Sequence, residues 1–296
     1  MPCPGSIAVV LNAAAADRHQ SIDRELNDLF RVCGCDAHIM VSAGQHLRDV
    51  AQRAAMRAPI VVAAGGDGTV SSVAAGIIGS RAALGVVPLG TLNHFAKDLH
   101  VPLDVRQAVD TIAGGHVQRV DVGEVNDHVF VNNCSIGVYP DIVRERDQLR
   151  NGHSKWLAMA IATFRVLRRY GGVTVRVDVC GRQQQWRTPF VFVGNNEYVI
   201  DGAGLGTRAT IEQGQLFIYV APRARVRDLP VLLAKALIGG ARQSGAFEIV
   251  AATELTIDTP RTKIIDVAVD GEIVKMTTPL VYRTRPESLP VVVPRA

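Results

Sequence analysis

The apolar run Ile60-Val61-Val62-Ala63-Ala64 leads straight into Gly65-Gly66-Asp67-Gly68-Thr69, and Val70 to Ile78 then reads as a helix. A buried strand, a glycine-rich turn and a helix in immediate succession is a narrow structural choice. Glycines let backbone N–H groups approach an anion closely, and a helix N-terminus adds a favourable partial charge. Asp67 would repel a bare phosphate there. It fits when a divalent cation lies between carboxylate and phosphate. The turn therefore points to a site for a nucleotide and Mg²⁺.

The surrounding chain repeats the alternation. Ile7 to Leu11 reads as a strand ending at Asn12, Asp36 to Val41 as a second, Ile60 to Ala64 as a third, and Ala83 to Val87 as a fourth that runs into Pro88-Leu89-Gly90-Thr91. Asp17 to Cys33 has helical spacing, with Ile22, Leu26, Leu29 and Phe30 on one face. Leu47 to Arg57, Asn93 to Leu99 and Val105 to Ala113 read as further helices. Strands alternating with helices over roughly the first 115 residues predict an α/β domain with a parallel, doubly wound sheet. Ligands of such sheets bind at the carboxyl ends of the strands. Asn12, Ser42, the Gly65 turn and the Gly90 turn all fall there.

From about Gln118 the pattern changes. Val120 to Val122, His128 to Asn132, Val173 to Val179, Thr188 to Val193, Gln215 to Val220, Phe247 to Ala251, Glu254 to Ile257, Ile264 to Val269 and Ile273 to Met276 read as strands, many of them β-branched and separated by turn residues. Helical patterns cover Lys155 to Tyr170 and Arg227 to Ile238. The second half is expected to be a mainly β, antiparallel sandwich. The predicted division is 1–117 and 118–296, with the final strands free to return to the first domain.

The 296 residues are 48% hydrophobic, enough for two cored domains. The net charge of +4 is too weak to argue for nucleic acid, and none is expected as a partner. Arginines cluster at Arg144, Arg146, Arg150, Arg165, Arg168 and Arg169 and again at Arg223, Arg225 and Arg227. These are solvated helix faces or a surface for anionic lipid. Five scattered cysteines, Cys3, Cys33, Cys35, Cys134 and Cys180, read as reduced thiols in a cytoplasmic protein. No signal-peptide pattern opens the chain, and the stretch Leu229 to Gly240 is too short to span a bilayer.

The common grammars of phosphate binding and hydrolysis are absent: there is no Walker A lysine motif, no kinase catalytic loop and no nucleophile elbow. Two other segments stand out. In Pro88-Leu89-Gly90-Thr91-Leu92-Asn93, Gly90 admits close backbone approach while Thr91 and Asn93 offer hydrogen bonds or helix caps. Val269-Asp270-Gly271-Glu272 sits between two alternating runs and alone reads as a hairpin turn. Phosphoryl transfer to an alcohol needs a carboxylate to take the hydroxyl proton and acids to position Mg²⁺. Asp67, Asp270 and Glu272 are of the right type.

Together with Phe130-Val131-Asn132-Asn133-Cys134-Ser135-Ile136-Gly137, these motifs resemble the bacterial diacylglycerol kinase and sphingosine kinase-like lipid kinases, in order and in spacing over nearly the whole chain. The resemblance implies an ATP-dependent kinase acting on a lipid with a free hydroxyl, on an NAD kinase-like nucleotide domain and a β-rich lipid domain. It implies nucleotide contacts from Asn12, Ser42, Gly65, Gly66, Asp67, Gly68, Thr69, Val70, Ser71, Ser72, Gly90, Thr91 and Asn93, with Asp67 organising Mg²⁺. It implies Asp270 as proton acceptor with Glu272 as partner or competitor, and Asp121 near the reacting hydroxyl. Peripheral membrane contact through Lys155 to Arg169 and Arg223 to Arg242 is expected, and a homodimer is compatible with it. The chain departs from the family pattern at Ala13, at His94, and at Gln213, where an aspartate of a structural Mg²⁺ site belongs. Two other classes remain open: another kinase on the same nucleotide fold, such as an NAD kinase, and a non-catalytic lipid- or nucleotide-binding protein.

Overall fold

The computed structural model describes residues 6–19, 21–142, 171–199, 206–208, 210–222, 228 and 247–295. The expected helix Lys155 to Tyr170, both arginine clusters and, apart from Asp228, the expected helix Arg227 to Ile238 lie outside the described residues. Two compact units are formed, one from Met1–Val122 with Pro286–Ala296, the other from Gly123–Arg285.

The first unit alternates strands and helices: β1 (Ser6–Asn12), α1 (Ala13–Ala16), α2 (Ile22–Val32), β2 (Asp36–Ser42), α3 (Leu47–Ala55), β3 (Ile60–Gly65), α4 (Asp67–Ile77), β4 (Ala83–Pro88), α5 (His94–Asp98), α6 (Val105–Gly114) and the start of β5 (His116–Val125). The sheet runs β2-β1-β3-β4, all parallel. Every residue of β3 and β4 is buried, as strands covered on both faces must be. Ile7, Val9 and Leu11 of β1 and Ile60, Val62 and Ala64 of β3 share one core with Ile22, Leu26 and Phe30 of α2 and Val109 and Ile112 of α6. The alternate residues Ala8, Val10, Val61 and Ala63 are buried on the opposite face, where α3 and α4 pack. This is the predicted doubly wound sheet.

Two boundaries differ from the expectation. The helix predicted from Asp17 begins only at Ile22, because Asn12 caps the short α1 first. Helix α4 begins at Asp67, three residues before the apolar pattern, with Gly66 as its N-cap. Asp67-Gly68-Thr69 is thus the first turn of the helix, and the turn proper is only Gly65-Gly66.

The second unit is a sandwich of antiparallel strands. One sheet has six: β12 (Glu248–Ala252), β11 (Leu216–Val220), β10 (Phe190–Asn195), β7 (Asn133–Gly137), β14 (Ile264–Val269) and β15 (Glu272–Thr277), in that order. The other pairs the start of β16 (Leu280–Val293) with β13 (Glu254–Asp258), then β8 (Val173–Val179) and β9 (Arg182–Thr188). The short β6 (His128–Phe130) pairs with the end of β5. Ile136, Val191, Val193, Ile218 and Val267 of the first sheet and Val175, Val177, Leu255, Ile257 and Tyr282 of the second close one core.

Strands β7, β9 and β16 were not expected. Strand β9 is Arg-Gln-Gln-Gln-Trp-Arg-Thr, a polar edge strand that pairs with β8 along its whole length. In β16, Pro286 and Pro290 disguise the strand. Its end lies in the first unit, where Val291 pairs in parallel with Leu84 of β4.

The thiols of Cys33, Cys134 and Cys180 are free, but Cys35 is disulfide-bonded, so the reading of all cysteines as reduced is corrected there. Among the described residues no helix is long and apolar enough to cross a membrane. Phe30 has no exposed surface. Phe30→Ala should cost about 3–5 kcal/mol, read as a lower urea midpoint with the fold's spectrum retained; a loss below about 1 kcal/mol would contradict this packing.

Candidate active site

In the first unit the carboxyl ends of the strands form one row. Asn12 stands opposite Ser42, Gly65 opposite Pro88, and the Leu11–Ala64 pairing puts Asn12 beside Gly65. From β1 the sheet extends to β2 on one side and to β3 on the other, so the row crosses the topological switch point. The Ala14 N–H donates to Asn12 Oδ1 at 2.9 Å, and Asn12 Nδ2 donates to Thr69 Oγ1 at 2.8 Å. Asn12 therefore caps α1 and holds the first turn of α4 against β1. Thr69 is buried, and a Cβ on Gly65 would lie 2.3 Å from its hydroxyl.

Gly66 and Gly90 bring two loops together with no side chain between them. A Cβ on Gly90 would sit 2.5 Å from Gly66 Cα and 2.6 Å from Asn93 Oδ1. Asn93 takes the left-handed conformation, φ +51°. Its Oδ1 accepts from Gly90 N–H and its Nδ2 donates to the Gly90 carbonyl, both at 3.0 Å. An amide supplies both roles and a carboxylate only one. The Phe95 N–H donates to Asp67 Oδ1 at 3.3 Å, tying the half-buried Asp67 to α5. Val70 is buried, and Ser72 Oγ donates to the Gly68 carbonyl at 2.8 Å. Ser71 is half-buried in the same turn, Thr91 is exposed beyond Gly90, and Ser42 is half-buried at the end of β2.

Asp121 lies within β5, 1% exposed, and its Oδ1 accepts from the Glu287 N–H at 2.9 Å. Glu287 has φ +49°. That hydrogen bond fastens the bend of β16 after Pro286, and the carboxylate has almost no surface to offer a ligand.

In the second unit Asp270 and Gly271 form the two-residue connection of the β14–β15 hairpin, with φ +47° and +88°. The Asp270 side chain reaches the link between β6 and β7. Its carboxylate accepts from Val131 N–H at 2.8 Å, Asn132 N–H at 2.8 Å and Asn133 N–H at 2.9 Å. Its own N–H donates to the Asn133 carbonyl at 2.8 Å. This explains the Phe130 to Gly137 motif, whose backbone is the socket for the Asp270 carboxylate. Three N–H donors fill most of the acceptor positions of a carboxylate. Glu272, the first residue of β15, has its pKa raised, first by loss of solvent around the carboxyl and second by the charge of Asp270. Cys134 lies beneath with its thiol pushed up to about 12 by burial, so it is no nucleophile.

Three residues carried no local signal in the sequence. Arg208, 7% exposed, donates from Nη1 to the Val131 carbonyl at 2.7 Å and from Nη2 to Asn132 Oδ1 at 3.2 Å. Asn195 Nδ2 donates to the same Val131 carbonyl at 3.0 Å, and Tyr198 lies under the guanidinium. A polar side chain at a strand end or in a loop without periodicity is not legible from one chain.

The donor sets decide which metals fit. Among the described residues no three His, Cys, Asp or Glu side chains converge. Asp67 alone at a helix start fits Mg²⁺ carried mainly by nucleotide phosphates and water. The structural Mg²⁺ site does not fit. Gln213 Oε1 accepts from the Glu197 N–H at 3.2 Å, and Asn196 Oδ1 accepts from the Gln213 N–H at 2.9 Å, so protein groups close this turn directly.

Comparison with known proteins bears on the family and the fold. Residues 6–125 match the diacylglycerol kinase catalytic domain, and residues 134–293 match the YegS C-terminal NAD kinase beta sandwich-like domain. The chain belongs to the diacylglycerol kinase-like family. A diacylglycerol kinase of Staphylococcus saprophyticus is 27% identical over 195 residues, covering 65% of this chain and 64% of that protein. One from Staphylococcus aureus strain JH9 is 29% identical over 172 residues, covering 57% and 55%. The matched stretch thus spans less than two thirds of these relatives. A crystal structure of a Bacillus anthracis diacylglycerol kinase shares the fold at TM-score 0.67 and 19% identity, covering 99% of this chain and 98% of that one. A second structure from the same organism gives 0.77 at 22% identity, with the same coverage.

The glycine contact gives a graded prediction. Gly90→Ala forces a Cβ to 2.5 Å from backbone, whereas Gly66→Ala reaches only 3.2 Å. Gly90→Ala should lower stability by about 1–3 kcal/mol and Gly66→Ala by less, measured by thermal unfolding; the reverse order would contradict the contact.

Proposed function

We propose that this protein is an ATP-dependent lipid kinase that transfers the γ-phosphoryl group to a lipid hydroxyl, with a diacylglycerol- or sphingosine-like acceptor. The observation that carries this is the side-chain-free contact of Gly66 and Gly90 beside the start of α4. It leaves first-turn N–H groups and Asp67, with no bulk, where phosphates would lie. Asn12, Ser42, Gly65 to Ser72, Gly90, Thr91 and Asn93 form the nucleotide site, Thr69, Val70 and Asn93 supporting it from below. Bound Mg²⁺ supplies neutralisation of phosphate charge, and Asp67 is the residue that would hold it. What the protein adds is positioning and a proton acceptor.

Glu272 is that acceptor, and Asp270 holds it. The Asp270 carboxylate is committed to three N–H groups. Glu272 next to it shows no such bonds, and its raised pKa suits a proton acceptor. The acceptor chain has a place in the same unit. An apolar pocket of about 380 Å³ is lined by Val138, Tyr139, Ile142, Phe190 and Phe192, with Asn133 and Ser135 at its polar side. Asn133 is also one of the three residues that hold Asp270. A lipid acceptor is taken from a bilayer, so we include peripheral contact with the cytoplasmic face of a membrane.

Two variants separate the acids. With Mg-ATP and dioctanoylglycerol, Glu272→Gln should lower turnover about 10²–10⁴-fold with an unchanged melting temperature. Asp270→Asn keeps one acceptor and turns an NH₂ toward the backbone N–H groups, so it should also lose about 1.5–3 kcal/mol of stability. Full turnover in Glu272→Gln would refute the assignment.

The pH dependence follows from the same shift. A base works deprotonated, so turnover falls as pH drops through its pKa. The acid limb of the kcat profile should therefore lie above the position of an unshifted glutamate. A limb at the position of an unshifted glutamate would contradict Glu272 as the base.

A further inference from the structure

We infer that Arg208 is a positioning residue for the Asp270–Glu272 turn, an inference that rests on the kinase reading only for its kinetic consequence. The link Val131-Asn132-Asn133 has Asp270 at its three N–H groups and Arg208 at the Val131 carbonyl and the Asn132 side-chain oxygen. The Val131 N–H donates to Asp270, and its carbonyl accepts from Arg208. The Asn132 N–H donates to Asp270, and its side-chain oxygen accepts from Arg208. The Asn132 carbonyl accepts from the Asn195 N–H at 2.9 Å, and Arg208 Nη1 also donates to the Asn195 carbonyl at 3.1 Å. Asp270 at the N–H and Arg208 at the carbonyl of the Val131–Asn132 peptide polarise it in one sense, so each contact strengthens the other.

The guanidinium suits this position in a way that an ammonium does not. Its planar fork reaches two carbonyls and an amide oxygen at once, while its face lies 5.6 Å from the centre of the Tyr198 ring. The group is permanently charged and 7% exposed. Asp270 is the carboxylate bonded to the same three-residue link. Arg208 thereby fixes the socket into which Asp270 plugs, and the socket fixes the hairpin from which Glu272 projects.

Two experiments test this. A thermal-unfolding cycle compares the wild type with Arg208→Met, Asp270→Asn and the double variant. Each single variant should melt lower, and the double variant no lower than the worse single one. Additive losses would overturn the coupling. Should Arg208→Met fail to fold, Arg208→Lys takes its place in the cycle. In the second experiment, Arg208→Lys is assayed with Mg-ATP and dioctanoylglycerol. The expected result is kcat lowered about tenfold with KM for ATP unchanged within about twofold; unchanged kcat would overturn the positioning role. A wild-type protein that phosphorylates no lipid would count against the kinase reading, and the unfolding cycle would still decide the coupling.

Discussion

The first unit depends on two loops meeting backbone to backbone. Gly66 ends the turn after β3, Gly90 lies within the turn after β4, and any side chain on Gly90 would strike Gly66 Cα or Asn93. Around that contact the rest is arranged. Asn93 adopts a left-handed backbone to clamp Gly90, Asp67 receives the Phe95 N–H, and Asn12 ties β1 to Thr69. The result is a set of strand ends at the switch point of a parallel sheet, with helix N–H groups and one carboxylate facing the same place. A steric constraint thus fixes the place of the charged groups.

The second unit uses charge differently. Asp270 works inside the protein as an anion that gathers three N–H groups, with Arg208 answering it from the oxygen side of the same link. Glu272 is not among the groups bonded to that link, and on the proposed reading the two acids of the hairpin divide the work into holding and proton transfer. The pairing of an Asp-Gly turn with a short link 137 to 139 residues earlier also gives the β-sandwich a long-range fastening between β14–β15 and β6–β7.

Much of this was legible in the sequence. The alternation of apolar runs and helical spacing gave the parallel sheet, and the β-branched runs gave the sandwich. The glycine turn and the Asp-Gly-Glu hairpin marked both candidate sites. What stayed hidden has physical causes. Strand β9 carries polar side chains because it is an edge, and β16 contains prolines where it bends. The reach of α4 back to Asp67 was masked by glycine, which no propensity assigns to a helix. The three N–H groups that bind Asp270 belong to backbone far away in the sequence, so its holding contacts could not be read from the Asp-Gly turn. Arg208 lay in a loop where no period applies.

The most direct test of the central claim offers the protein a choice of acceptor. Purified protein is incubated with γ-labelled ATP, Mg²⁺ and equal amounts of dispersed diacylglycerol and NAD, and the label is followed into the lipid and aqueous phases. A lipid kinase with Glu272 as base places the label in the lipid phase, and Glu272→Gln abolishes it. Label on NAD, or ATP bound with no transfer to either acceptor, would contradict the account.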